Sequence, residues 1–154
     1  MKFLHTADLH LKEIDDKQWK ALESIFNVAI DEKVDFVFIS GDMFDKNYRS
    51  DILRNSLRQF FSDFPDISII ILPGNHDRDA FPEGILLSNV DNIKILSKVP
   101  YQVIDKEDIR IVGIPYTEPE NVSLIPHFSE ILEKIPIDSN KFNIVMAHGT
   151  VTGK

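Results

Sequence analysis

Four apolar runs set the frame of this chain: Lys2 to His5, Phe36-Val37-Phe38-Ile39, Ile69-Ile70-Ile71-Leu72 and Phe142 to Ala147. The second and third do not alternate with polar residues, which predicts parallel strands covered on both faces. From Asp16 to Lys33 the apolar residues Trp19, Leu22, Ile25, Phe26, Ala29 and Ile30 keep a helical spacing, with Asp15 or Asp16 available as the cap. A second helical stretch runs from Asp51 to Phe61. The order strand, helix, strand, helix, strand predicts parallel β-α-β units with right-handed crossovers. Beyond Leu72 the pattern predicts a short helix at Pro82 to Ser88 and strands at Ile93 to Leu96, Tyr101 to Ile104 and Ile109 to Ile114. Lys106-Glu107-Asp108 reads as a hairpin turn between the last two. Pro115, Pro119, Pro126 and Pro136 then leave room for one helix at His127 to Lys134. No internal repeat, low-complexity segment or linker interrupts residues 1–154, so a single domain is expected.

Composition adds little to that picture until charge is considered. At 154 residues with 43% apolar and 10% aromatic content, the chain can bury a real core. No apolar run approaches the roughly 20 residues of a membrane helix. Met1-Lys2-Phe3-Leu4 enters a strand directly, without the pattern of a signal peptide, so a cytoplasmic protein with no membrane partner is expected. The absence of cysteine excludes disulfides and Cys-zinc sites. A formal charge of −8 argues against a broad basic nucleic-acid footprint. Several of the acids belong to a candidate metal site, however, and bound cations would reverse the local sign where a phosphate would sit. The loose basic cluster Lys46, Arg49, Arg54 and Arg58 reads as a solvated helix face.

A short polar string follows each of the first three runs: Asp8-Leu9-His10, Gly41-Asp42-Met43-Phe44-Asp45 and Gly74-Asn75-His76-Asp77. His148 follows the fourth run in the same manner. Asp42 lies 34 residues after Asp8, and Asn75 lies 33 after Asp42, while one β-α-β step takes about 30 or more residues. Each string therefore falls after a successive strand, on the carboxyl edge where open α/β sheets hold their ligands. Oxygen and imidazole donors without thiolate suit Mn²⁺, Fe²⁺ or Zn²⁺, and two such ions sharing a carboxylate form a phosphoester-cleaving centre.

Within the strings, Asp8 and His10 can reach one ion if the chain is extended there, because alternate residues share a side. Taken alone, that pair reads more simply as a turn cap and a hydrogen-bonded histidine. Gly41 lets the backbone turn sharply, placing the Asp42 carboxylate where it can bridge two ions. Asp45 either sits behind the ligands, orienting one of them or a loop, or caps a turn. Pro73 to Asp77 are turn residues apart from the histidine, which turn chemistry does not explain. Asn75 offers a side-chain oxygen to a metal, His76 is placed to contact a substrate phosphate, and Asp77 to fix that imidazole or the loop.

Together these strings resemble the calcineurin-like metallophosphoesterase superfamily, whose pattern is D-x-H, G-D-x-x-D, G-N-H-D/E, a lone His and finally G-H-x-H. The resemblance implies an α/β fold, a two-sheet mixed β sandwich flanked by helices. Phe3-Leu4-His5-Thr6-Ala7-Asp8-Leu9-His10-Leu11 is more specifically similar to the SbcD-type exonuclease branch, the nuclease subunit of DNA double-strand-break repair. Carried over residue by residue, Asp8 and His10 bind one metal, Asp42 bridges both, and Asn75 and His148 bind the second. His76 is the catalytic residue at the phosphate, with Asp45 and Asp77 in support. His5 is then a strand residue or a support behind the ligands, and His127 a surface residue. The implied cofactors are two divalent ions, Mn²⁺ first, with Fe²⁺, Zn²⁺ or Mg²⁺ as alternatives. The implied partners are DNA, an SbcC-type ATPase and a second copy of the chain.

The chain departs from the pattern at its end, since no Gly-His-x-His precedes Lys154, six residues past His148. This implies a nuclease domain truncated before its last motif, each ion lacking one protein ligand. The expected function is metal-dependent phosphodiester hydrolysis by a DNA repair exonuclease. The alternatives are a small-molecule phosphoesterase of the same superfamily, or a catalytically crippled fragment that binds metal or a partner.

Overall fold

A computed structural model describes residues 1–46, 50–77, 81, 91–117 and 128–149. The helix expected at Pro82 to Ser88, together with Arg49, Pro119, Pro126, His127 and Lys154, lies outside them. The elements run β1 (Phe3–Thr6), α1 (Lys17–Asp31), β2 (Phe36–Ser40), α2 (Ser50–Ser62), β3 (Ser68–Leu72), β4 (Ile93–Ile95), β5 (Gln102–Lys106), β6 (Ile109–Ile114), α3 (Phe128–Lys134) and β7 (Phe142–Ala147).

Two sheets form. In the first, β1-β2-β3-β4 lie side by side and all neighbours are parallel. The second has the order β5-β6-β7, antiparallel between β5 and β6 and parallel between β6 and β7. The fold is thus the mixed α/β arrangement of two sheets with helices that the sequence implied.

β2 and β3 are buried along their whole length, and alternate residues serve two different cores. Val37, Ile39, Ile69 and Ile71 pack with Leu22, Phe26 and Ala29 of α1 and Leu53, Leu57 and Phe61 of α2. Phe36, Phe38, Ile70 and Leu72 face the other way and pack with Ile109, Ile111 and Met146 of the second sheet. Strand side chains alternate between faces, so a strand sandwiched between helices and a second sheet must be apolar on both. Phe26 anchors the helix side, its ring 5.2, 5.4 and 4.7 Å from those of Phe60, Phe61 and Phe64. Burying one such side chain stabilises the fold by about 1.5–3 kcal/mol.

The ends of elements follow local chemistry. Asp16 is the cap of α1, its Oδ1 accepting the Trp19 N–H at 2.7 Å, whereas Asp15 turns left-handed at φ 67°. The hairpin expected over Lys106 to Asp108 is tighter, because Lys106 pairs with Ile109 and β5 extends to meet it. Glu107 takes φ 51° to close the remaining two-residue turn. Because β1, β2 and β3 run parallel, their carboxyl ends lie together at one edge of the first sheet, and the three strings emerge there.

Candidate metal centre

The loops leaving β1 and β2 stay zipped after the strands end. The N–H groups of Asp8, His10 and Leu11 donate to the carbonyls of Gly41, Asp42 and Met43 at 3.1, 3.0 and 2.9 Å, and the Asp45 N–H donates back to Leu11 at 3.1 Å. This path requires left-handed backbone at Asp8, His10 and Asp42, with φ of 55°, 48° and 49°. Asp and His are among the few residues other than glycine that adopt it readily. The backbone at Asp8 and His10 is therefore left-handed and not the extended chain that alternation would use.

Asp77 ties the third loop to the second. Its carboxylate is 1% exposed and accepts the N–H groups of Met43, Phe44 and Gly74 at 3.1, 2.9 and 2.9 Å. Burial raises its pKa above the ordinary carboxylate value; these three amides pull it down and the charge of Asp42 pushes it further up, leaving a net upward shift. Asp77 thus fixes the loop and not the imidazole, for Nδ1 of His76 is buried with no hydrogen-bond partner among the described residues. Asp42, 5% exposed, accepts the His76 N–H on Oδ1 at 3.0 Å. Gly74 is required for that approach, since a Cβ there would overlap the Asp42 nitrogen and Oδ1. Asp45 reaches Lys12 in an ion pair of 3.3 Å, linking the first two loops once more.

Two groups of donor atoms result, and Asp42 belongs to both. One contains His10, Asp42 and His76, the other Asp8, Asp42 and His148, and within each group the donors lie within 4.8 Å of one another. Asp8 and His10 remain neighbours, Oδ1 and Nε2 being 3.9 Å apart. His148 reaches the site from the end of β7. Its Nδ1 lies 3.0 Å from the Ser40 carbonyl, and its Nε2 lies 3.2 Å from Asn75 Oδ1 and 3.5 Å from Asp42 Oδ1. Gly41, at φ 89°, makes room for this ring, because a Cβ at that position would overlap it.

Whether these residues suit divalent ions can be judged from the donors themselves. A carbonyl only accepts, so Nδ1 of His148 carries a proton, while Nε2 faces two further acceptor oxygens. Such a convergence is relieved by a second ring proton or by a cation, and a cation serves Asp8 at the same time. Ligand bonds of about 2.0–2.2 Å set opposite donors on one ion about 4 Å apart, close to the spacing within each group. The nitrogen and carboxylate donors are those of Mn, Fe or Zn sites. The residues fit.

A sequence pattern shared by calcineurin-like phosphoesterases matches residues 1–154. The chain belongs to the calcineurin-like phosphoesterase family. It is 27% identical to the D subunit of nuclease SbcCD from Staphylococcus epidermidis (strain ATCC 12228 / FDA PCI 1200), over 99% of this chain and 47% of that protein. The corresponding D subunit from Bacillus subtilis (strain 168) is 26% identical over 86% of this chain and 32% of its own length. The uncharacterized metallophosphoesterase YhaO of the same strain is 27% identical over 99% of this chain and 41% of its own length. The calcineurin-like chain thus spans less than half the length of these relatives. Membership implies a metal-dependent hydrolase of phosphoesters, and with it divalent ions.

The structure of this calcineurin-like chain gathers Asp8, His10, Asp42, Asn75, His76 and His148 at one edge, with Asp77 holding the loop amides and Asp45 paired to Lys12. It adds Ser40, whose backbone carbonyl orients His148. Nothing in the sequence marks that role, because a carbonyl is common to every residue. His5 is tied to the same serine, its Nε2 3.0 Å from the Ser40 hydroxyl. Of the basic cluster, Lys46 and Arg58 lie exposed as expected of a solvated face, whereas Arg54 of α2 is half-buried. Among the described residues, no helix is long and apolar enough to cross a membrane.

Proposed function

We propose that this domain hydrolyses phosphodiesters with two divalent ions, Mn²⁺ first among them, as the nuclease component of a DNA-processing enzyme. The observation that carries the reading is the sharing of Asp42 by two donor groups, which suits a pair of ions held side by side. Asp8, His10, Asp42, Asn75 and His148 would hold the ions. When bound, the ions supply a water of lowered pKa and neutralise the charge that develops on the phosphate.

The protein's own part is to bind, orient and donate. Asp77 and Gly74 keep the loops in register so that the donors face one another. The Ser40 carbonyl keeps the His148 proton on Nδ1 and leaves Nε2 to the site. His76 is placed to donate a hydrogen bond to a phosphate oxygen or a proton to the leaving oxygen. Contacts of this kind address phosphate and not bases, so cleavage should be indifferent to sequence.

The named relatives that are subunits of SbcCD support DNA as substrate and a partner ATPase of the SbcC type; a homodimer and a cytoplasmic location belong to the same reading. The charge of −8 favours a second reading, hydrolysis of small phosphoesters. Cleavage of linear duplex DNA and of bis(p-nitrophenyl) phosphate, at saturating Mn²⁺ and with EDTA as control, distinguishes the two. Mn²⁺-dependent cleavage of DNA supports the nuclease, cleavage of the small ester alone supports the second reading, and cleavage of neither overturns both. At saturating metal, His76→Ala is expected to lower kcat by about 10²- to 10⁴-fold, and an unchanged kcat would remove His76 from the chemistry.

A further inference from the structure

The two donor groups differ in how their histidines are held. His148 has its far nitrogen fixed by the Ser40 carbonyl, the arrangement expected of a permanent metal ligand, whose other ring nitrogen almost always has a partner. His76 has a ring nitrogen in reach of one ion with His10 and Asp42, yet its buried Nδ1 has no partner among the described residues. Its backbone is fixed, by the N–H to Asp42 Oδ1 at 3.0 Å, and its ring meets the edge of His10, with centroids 5.0 Å apart. No hydrogen bond at Nδ1 to the described residues opposes a turn of this ring about its side-chain bonds. Leaving a buried polar atom unpaired is otherwise unfavourable.

We propose that His76 is a displaceable metal ligand: in the substrate-free protein it completes the group with His10 and Asp42, and it gives up that position when a phosphate oxygen takes it. The inference rests on the metal-centre reading above and deepens it. One imidazole then serves in turn as ligand and as donor to the phosphate that replaced it. The exchange gives up one metal–nitrogen bond for one metal–oxygen bond, with no change of oxidation state. Asp42, common to both donor groups, stays in place through the exchange.

The test is metal titration without substrate. Co²⁺ is the spectroscopic probe, Mn²⁺ is titrated by calorimetry, and His76→Ala, His76→Gln and His10→Ala are compared with the wild type after circular dichroism has confirmed their folding. His76→Ala and His76→Gln should change the visible Co²⁺ bands and weaken one of two Mn²⁺ sites by about tenfold or more. Saturating inorganic phosphate should then bring the wild-type and His76→Ala spectra together. Wild-type affinity and spectra in both His76 variants, alongside loss of one ion in His10→Ala, would overturn the inference and leave the metal centre standing. Spectra that stay apart in phosphate would overturn the displacement. A wild-type protein that binds neither ion would overturn the metal-centre reading itself, and this inference with it.

Discussion

At Gly41 the smallest side chain meets the largest demand. The residue sits at φ 89° with the His148 ring in the space a Cβ would fill. Gly41→Ala forces a left-handed alanine, costing about 1–2 kcal/mol, and displaces His148 as well. The expected outcome is a lower urea midpoint together with weaker Mn²⁺ binding at the site containing His148. An unchanged calorimetric affinity would show that the ring is not held where the Ser40 carbonyl meets it. The sequence marked Gly41 as a turn but could not reveal its contact with a histidine more than a hundred residues away. The left-handed Asp8, His10 and Asp42 were equally hidden, since Asp and His in this conformation read like any others. The residue types of the site were legible because metal ions demand oxygen and imidazole donors. The left-handed turns that aim them were not, because backbone angles leave no mark in residue type.

Among the elements, apolar runs and helical spacing carried the strands and helices to within a residue or two at most ends. Their bounds were legible where burial dictates pattern, as in β3, where every residue is buried. The choice of neighbour was less so. β7 joins β6 in parallel and not β1, although Phe142 stacks against Phe3 with ring centroids 6.1 Å apart. At the amino end of β7, Arg110 of β6 grips Asp105 of β5 through two hydrogen bonds of 2.9 Å and donates to the Pro136 carbonyl at 3.2 Å. The hydrogen bonds from Arg110, with further help from Lys141, pull the Asp105 carboxyl down to about 2. A carboxyl depressed in the folded state stabilises above its unfolded pKa of about 3.9. That contribution fades as pH falls from about 4 toward about 2. Arg110→Met should therefore lower Tm at pH 5 to 7, and thermal melts should bring variant and wild type together as pH approaches 2. A gap that stays constant down to low pH would mean that the ion pair contributes nothing. Asp105 is exposed, so the gap should be small.

For the whole molecule, ion binding and folding are one equilibrium. Ligand that binds only the native state adds about 2.7 kcal/mol at a hundredfold excess over Kd. Mn²⁺ should therefore raise Tm, EDTA should reverse the rise, and Asp42→Asn should abolish most of it, because both donor groups share that carboxylate. A Tm indifferent to Mn²⁺ would contradict the centre. The charge of −8 belongs to the same account: the acids of the site repel one another until cations arrive.

The carboxylate of Asp77, holding amides from two loops, has a consequence for how substitutions combine. Its three hydrogen bonds make the second and third loops a single thermodynamic unit. Damage at Asp77 and damage at Gly74 should not add, since the first already releases what the second disturbs. Two loops more than thirty residues apart in the chain thereby depend on one carboxylate.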